Sequence, residues 1–300
     1  MSSPHAPHAP MLPVIGCVVI VGSLLGVLTN TAKLALHHGW QPLPFLFWST
    51  LFGGLGLWGV AIASRQPPAL GKRHLLYYAI AGIFSFAVPN GLSFLAIQHV
   101  GASFIAFCLA FPPLLTYVLA VAMRLEPPAL LRTLGIILGL TGAGGLALSK
   151  GIAQQDALLW VAMAVASPVF IAIGNIYRSL HWPQGSSPLS LAPGMMVAAA
   201  LEVGLASLLA GENPVISPAG VGAWSDIAIQ SAILAITYAV FFYLQKLGGP
   251  VALSQIGWVA AIVGSTIAVL VLGEVPPAGL GIAMVLIVLG IVLVSRRRAA

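Results

Sequence analysis

Long apolar runs alternate with short polar connectors along the whole chain. The runs cover Leu12–Leu36, Pro44–Ala63, Leu75–Ile97, Gly101–Met123 and Leu131–Leu148 in the first half. In the second half they cover Leu158–Tyr177, Leu189–Ala210, Ile227–Leu244, Val251–Leu272 and Leu280–Ser295. A helix needs about 20 apolar residues to cross the hydrocarbon core of a bilayer. The pattern therefore predicts an all-α integral membrane protein of ten transmembrane helices, with no remainder long enough for a soluble domain. Residues 1–11 read as a short disordered N-terminal tail of Pro, Ala and His.

The second five runs echo the first five. At an offset of 148, Gly101 falls on Gly249, Ala120 on Ala268, Glu126 on Glu274 and Gly142 on Gly290. Asn30 and Lys33 fall on Asn175 and Arg178 at 145, and Pro42-Leu43 falls on Pro188-Leu189 at 146. The two units are residues 12–149 and 150–300. Five helices is an odd number, so the copies must point in opposite directions. The expectation is two inverted five-helix repeats around a central cavity, an arrangement that permits alternating access.

Charge is scarce, with 12 Lys and Arg and 6 Asp and Glu among 300 residues. A soluble domain would carry roughly a quarter charged residues. Placing the N-terminus in the cytoplasm puts ten of the basic residues inside and leaves only Lys33 and Lys150 outside. That asymmetry predicts cytoplasmic N- and C-termini in an inner membrane. The basic residues are spread over many connectors and form no single face, which argues against nucleic acid as a partner. Cys17 and Cys108 fall inside spans and read as apolar fillers, so no metal site or disulfide is expected.

Leu95-Ala-Ile-Gln-His-Val-Gly-Ala-Ser103 resembles the start of the fourth helix in EamA-type drug/metabolite transporters. Arg124-Leu-Glu-Pro-Pro128 and Gly273-Glu-Val-Pro-Pro277 resemble that family's G-E-x-P turns. Lys33 and Pro42 match its first-helix Lys and the Pro that opens its second helix. Ser49 stands where many members carry Arg, so no role for that Arg carries over. Within the family the chain is similar to the YddG-type amino acid exporters, at Phe111-Pro112, Thr237-Tyr238-Ala239 and Ser167. Leu25 departs from that pattern, which has a cavity aromatic there. The resemblance implies a secondary transporter.

A pathway through lipid needs helices that break or carry polar groups toward a cavity. Pro89, Pro112-Pro113 and Pro168 are the expected breaks, and Pro113 frees the carbonyl of Leu109. The expected substrate-binding set is Asn90, Phe107, Phe111, Ser167, Tyr238, Gln255 and Trp258, with Ser93 and Ser254 beside it. These residues give apolar walls with a few hydrogen bonds, suited to a small amphipathic zwitterion. Any one of them can equally be core or an interhelical hydrogen bond. Glu202 is the carboxylate placed deep in a span and is a candidate for ion coupling. Lys33 and Arg178 read as interfacial anchors, leaving no mid-membrane cation for a phosphate. Gly135, Gly139, Gly142 and Gly290 read as close-packing positions that brace the fifth and tenth helices, or form a homodimer seam.

An enzyme would need paired acid and base groups, a partnered nucleophile or a metal cluster. The seven His all lie in the tail or at span ends, and no Asp lies in a span. A channel would want a filter loop or charged rings. Neither pattern is present, and no phosphate-binding G-x-x-x-x-G-K-[ST] occurs. The expectation is a cofactor-free secondary transporter, monomeric or dimeric, exporting aromatic or other neutral amino acids. Drug, sugar-phosphate or nucleotide-sugar transport is the alternative within the same superfamily.

Overall fold

A computed structural model describes residues 11–124, 128–153, 158–213, 221–253, 256–275 and 279–295. All regular structure among them is helical. Helices α1 (Met11–His37) and α2 (Pro42–Ala63) are followed by α3 (Lys72–Gly82), which passes through a π-helical turn (Ile83–Ala87) into α4 (Val88–Val100). Helices α5 (Ala102–Cys108) and α6 (Pro112–Ala122) form one interrupted unit, and α7 (Leu130–Ala153) completes the first half. The second half is α8 (Leu158–His181), α9 (Pro188–Leu209), α10 (Val221–Leu253), α11 (Ile256–Leu270) and α12 (Leu280–Ser295). The chain is an all-α membrane protein; its described residues form ten helical units, seven of them long and apolar enough to span by themselves. Helix α11 is apolar but shorter.

The exterior of the bundle is apolar, as a lipid solvent requires. Leu201, Leu205, Leu208, Ile282 and Val285 are exposed, while Phe45, Phe86, Phe104, Phe107 and Phe242 fill the interior. Helix α1 packs against α10 and α11, α2 against α9 and α10, α4 against α8, and α5 against α11. Helix α7 lies along α12 as the glycine pattern predicts. A β-carbon on Gly290 would sit 2.4 Å from the carbonyl oxygen of Gly135, so only bare backbones approach this closely. That glycine face is thus used within the chain.

The prolines behave in three different ways. Pro112 opens α6, and Leu109–Phe111 separates it from α5, so the expected break is real. Pro89 sits just after the π-helical turn, and the wider turn carries the chain past the missing N–H without parting the helix. The break expected at Pro168 is absent, because α8 runs uninterrupted from Leu158 to His181. One lost backbone bond is outweighed there by the packing of α8 on α4 and α6. The spans expected at Ile227–Leu244 and Val251–Leu272 are also redrawn. Helix α10 runs on through Gly248-Gly249-Pro250 to Leu253, and α11 is described from Ile256 to Leu270.

Candidate functional site

Helices α1, α2, α4, α5 and α10 converge on a small enclosed cavity of about 40 Å³, room for a few water molecules. Apolar walls come from Leu25, Leu28, Leu46, Phe94, Ile105 and Leu234. The polar lining is Thr29 from α1, Asn90 and Ser93 from α4, and Gln230 and Tyr238 from α10. Asn90 reaches into it from the turn after Pro89, donating from Nδ2 to the Phe86 carbonyl oxygen at 2.9 Å. Its side chain also contacts the Tyr238 hydroxyl by a hydrogen bond. The Tyr238 ring packs on Phe86, 5.1 Å between centroids.

Ser167 lies behind this wall. Its hydroxyl donates to the Pro89 carbonyl oxygen at 2.9 Å and is 3.1 Å from the Ser93 hydroxyl, tying α8 to α4 just past the π-helical turn. Phe107 and Phe111 are core residues, stacked edge to face at 5.1 Å. Phe107 and Trp258 line a second, minute void near Ala261 and Met284. The expected binding set is thus divided. Asn90 and Tyr238 meet at the cavity; Ser167 touches its wall through Ser93, and Phe107, Phe111 and Trp258 are not among its lining residues. Gln255 and Ser254 lie outside the described residues, as does Glu126.

The sequence reading missed the α1 side of the cavity. The signal was the polar triplet Thr29-Asn30-Thr31 inside an apolar run, together with Gln230, an amide inside the eighth run. Thr31 hydrogen-bonds the Gln230 side chain. Asn30 donates to the carbonyl oxygens of Gly26 at 2.8 Å and Gly264 at 3.0 Å, pinning α1 to α11.

One end of the bundle is closed by charge. Glu274 follows α11, and its carboxylate accepts from the backbone N–H groups of Ala102 at 2.7 Å and Ser103 at 3.0 Å and from the Ser103 hydroxyl at 2.6 Å. Lys33 completes the cluster as its ion-pair partner. Lys33 is therefore a partnered, half-buried cation, where the sequence suggested an interfacial anchor. Gly101 permits this geometry, with φ +88 and no β-carbon to collide with the carboxylate. Burial pushes the Glu274 carboxyl up, but the hydrogen bonds from Lys33, Ser103 and Ala102 outweigh it and hold the group at about 2. At the same end, Glu212 accepts from the Leu43 N–H at 3.0 Å, and burial raises its carboxyl above the ordinary range despite that bond.

Arg178 also departs from the anchor reading. It is 1% exposed, the largest fully buried side chain among the described residues. Glu202 lies away from the cavity, on α9, where its carboxylate meets the backbone of α3: a β-carbon on Gly82 would lie 2.8 Å from Oε2. No cluster of His, Cys, Asp and Glu able to hold a metal ion exists among the described residues.

Against known proteins, the family match lies in the first half. Residues 12–148 match the EamA-like transporter family. The match takes in α1 to α6 and most of α7, including the cavity residues Thr29, Asn90 and Ser93. A solved structure, titled only as the crystal structure of a protein, is similar in fold with a TM-score of 0.63 at 17% identity. The likeness covers 92% of this chain and 95% of the other, so most of the fold recurs there. No curated protein matches the sequence.

Proposed function

We propose that the whole chain is an EamA-type drug/metabolite transporter that exports neutral amino acids, aromatic ones among them, by alternating access. The EamA match of the first half and the offset of 148 between halves support two inverted repeats, with residues 150–300 as the second. The observation that carries the reading is the enclosed cavity, apolar with an amide and a phenol side by side, at the meeting point of five helices. The cavity is narrow, so transport by this route requires the surrounding helices to part. The Lys33–Glu274 cluster seals the end that the charge asymmetry assigns to the outside. Both termini then lie in the cytoplasm of a cell with an inner membrane, and the working unit is a monomer.

The test is counterflow in proteoliposomes with a panel of amino acids, sugar phosphates, nucleotide sugars and cationic drugs. Exchange of labelled phenylalanine or leucine is the expected result. Exchange of sugar phosphates with none of amino acids would overturn the choice of cargo in favour of the phosphate-transporting reading.

A further inference from the structure

The buried guanidinium of Arg178 has neighbours that do not account for its charge. Nε donates to Gln245 Oε1 at 3.0 Å and an Nη2 hydrogen goes to Asn175 Oδ1 at 2.8 Å. The rings of Phe241 and Phe242 lie 4.9 Å and 5.8 Å from its carbon. All of these partners are neutral, and no carboxylate pairs with Arg178 among the described residues. An arginine carries five N–H donors, and two are used by described residues. A charge removed from water without an opposite charge is strongly unfavourable, and neutral hydrogen bonds with aromatic faces offset only part of that cost.

The surrounding polar atoms share the same deficit. Gln245 turns its carbonyl oxygen to Arg178 and leaves Nε2 buried with no partner among the described residues. The Tyr77 hydroxyl is buried, also without a hydrogen-bond partner among the described residues, and close enough to interact electrostatically with the guanidinium. Tyr77 and Gln245 are 2% and 5% exposed. Three side chains from α3, α8 and α10 therefore present spare donors and one positive charge to a common region, and what they lack is an acceptor that carries negative charge.

That region adjoins the cavity. Tyr238 lines the cavity and also lies within electrostatic reach of Arg178, and Phe241, three positions further along α10, packs against the guanidinium. Tyr77 is near the start of α3 and Arg178 is in the last turn of α8, so the cluster lies toward the end assigned to the cytoplasm. Cargo entering from that end meets it before reaching Asn90.

We propose that Arg178, Tyr77 and Gln245 form the binding site for an oxyanion of the transported molecule, a carboxylate or a phosphate. The proposal rests on the transport reading and deepens it: the carboxylate of an amino acid would dock at Arg178 while its side chain occupies the apolar cavity.

The experiment is competition against labelled phenylalanine in proteoliposome counterflow, using phenylalanine amide, phenethylamine, 3-phenylpropionate and inorganic phosphate as competitors. Wild type should be inhibited by phenylpropionate and at least tenfold less by the amide and the amine. Arg178→Gln should raise the KM for phenylalanine tenfold or more and erase that preference, and Arg178→Lys should restore part of it. Should Arg178→Gln fail to elute as a single species, Tyr77→Phe carries the test and should shrink the acid-to-amide preference several-fold. A preference unchanged in a folded Arg178→Gln, or in Tyr77→Phe where Arg178→Gln does not fold, overturns the site and leaves amino acid transport standing. If phenylalanine is not exchanged at all, thermal stabilisation of the purified protein by phosphate or phenylpropionate, lost in Arg178→Gln, would sustain the site while the cargo reading falls.

Discussion

The backbone of Gly257 lies against the carbonyl oxygen of Leu109 so closely that a β-carbon at 257 would sit 2.1 Å from it. Leu109 is the residue whose carbonyl loses its helical donor to Pro113. The break between α5 and α6 therefore presents its freed carbonyl to the bare face of α11, where a glycine has been placed to receive it. Gly257→Ala should shift α11 or close the break, costing about 1–3 kcal/mol or more by overpacking. Thermal unfolding in detergent reads this out. Gly56→Ala is the comparison, since nothing lies within 4 Å of a β-carbon there, and it should be neutral or slightly stabilising.

The Glu274 cluster predicts a pH dependence with a definite sign. The carboxyl is held at about 2, against 4.5 for an ordinary glutamate. A depressed carboxyl contributes stability that is fully present above pH 4.5 and disappears as pH falls through about 2. Glu274→Gln should be less stable than wild type at pH 7 and should lose less stability between pH 4.5 and 2. Tryptophan fluorescence during acid unfolding in detergent measures both.

In transport, loss of the same cluster should favour opening at its end of the bundle. Lys33→Gln and Glu274→Gln should increase labelling, by a membrane-impermeant thiol reagent, of a cysteine introduced at Thr29. Equal labelling in wild type and both variants would show that the ion pair does not seal the cavity.

Tyr238→Phe removes the hydroxyl that meets Asn90 and keeps the ring on Phe86. A buried neutral hydrogen bond contributes about 0.5–1.5 kcal/mol. The KM for cargo should rise by about threefold to tenfold, and the unfolding temperature should change little. Asn90→Ala should act more strongly, since it also removes the bond to the Phe86 carbonyl.

Glu202→Gln should leave the pH profile of transport unchanged, because the carboxylate rests against Gly82 between α9 and α3, outside the cavity lining. A profile altered between pH 5 and 8 would restore proton coupling at this residue.

Much of the scaffold was legible in one dimension. Apolar runs of membrane length, the glycines of α7 and α12 and the break at Pro112 are local signals, readable because each depends on neighbours within a few residues or on a repeat. Asn90 and Tyr238 line the cavity, and both stand out in the sequence as polar groups inside apolar runs. Phe107, Phe111 and Ser167 carried the same signal but are engaged in packing and interhelical bonding, which spacing cannot distinguish from a cavity wall. Pro168 misled for a related reason, since a proline removes one bond and whether the helix parts is settled by its neighbours.

The sequence by itself determined that this protein lives in lipid and that its described residues form helices, because the length and hydrophobicity of the apolar runs are properties of the chain alone. Tertiary structure decided the fates of the charged residues. Lys33 and Arg178 both lie near the end of an apolar run, yet one is neutralised by Glu274, 241 positions away, while the other is buried among uncharged side chains. Burial and the sign of the nearest charge are set by which helices pack together, and no local pattern encodes that.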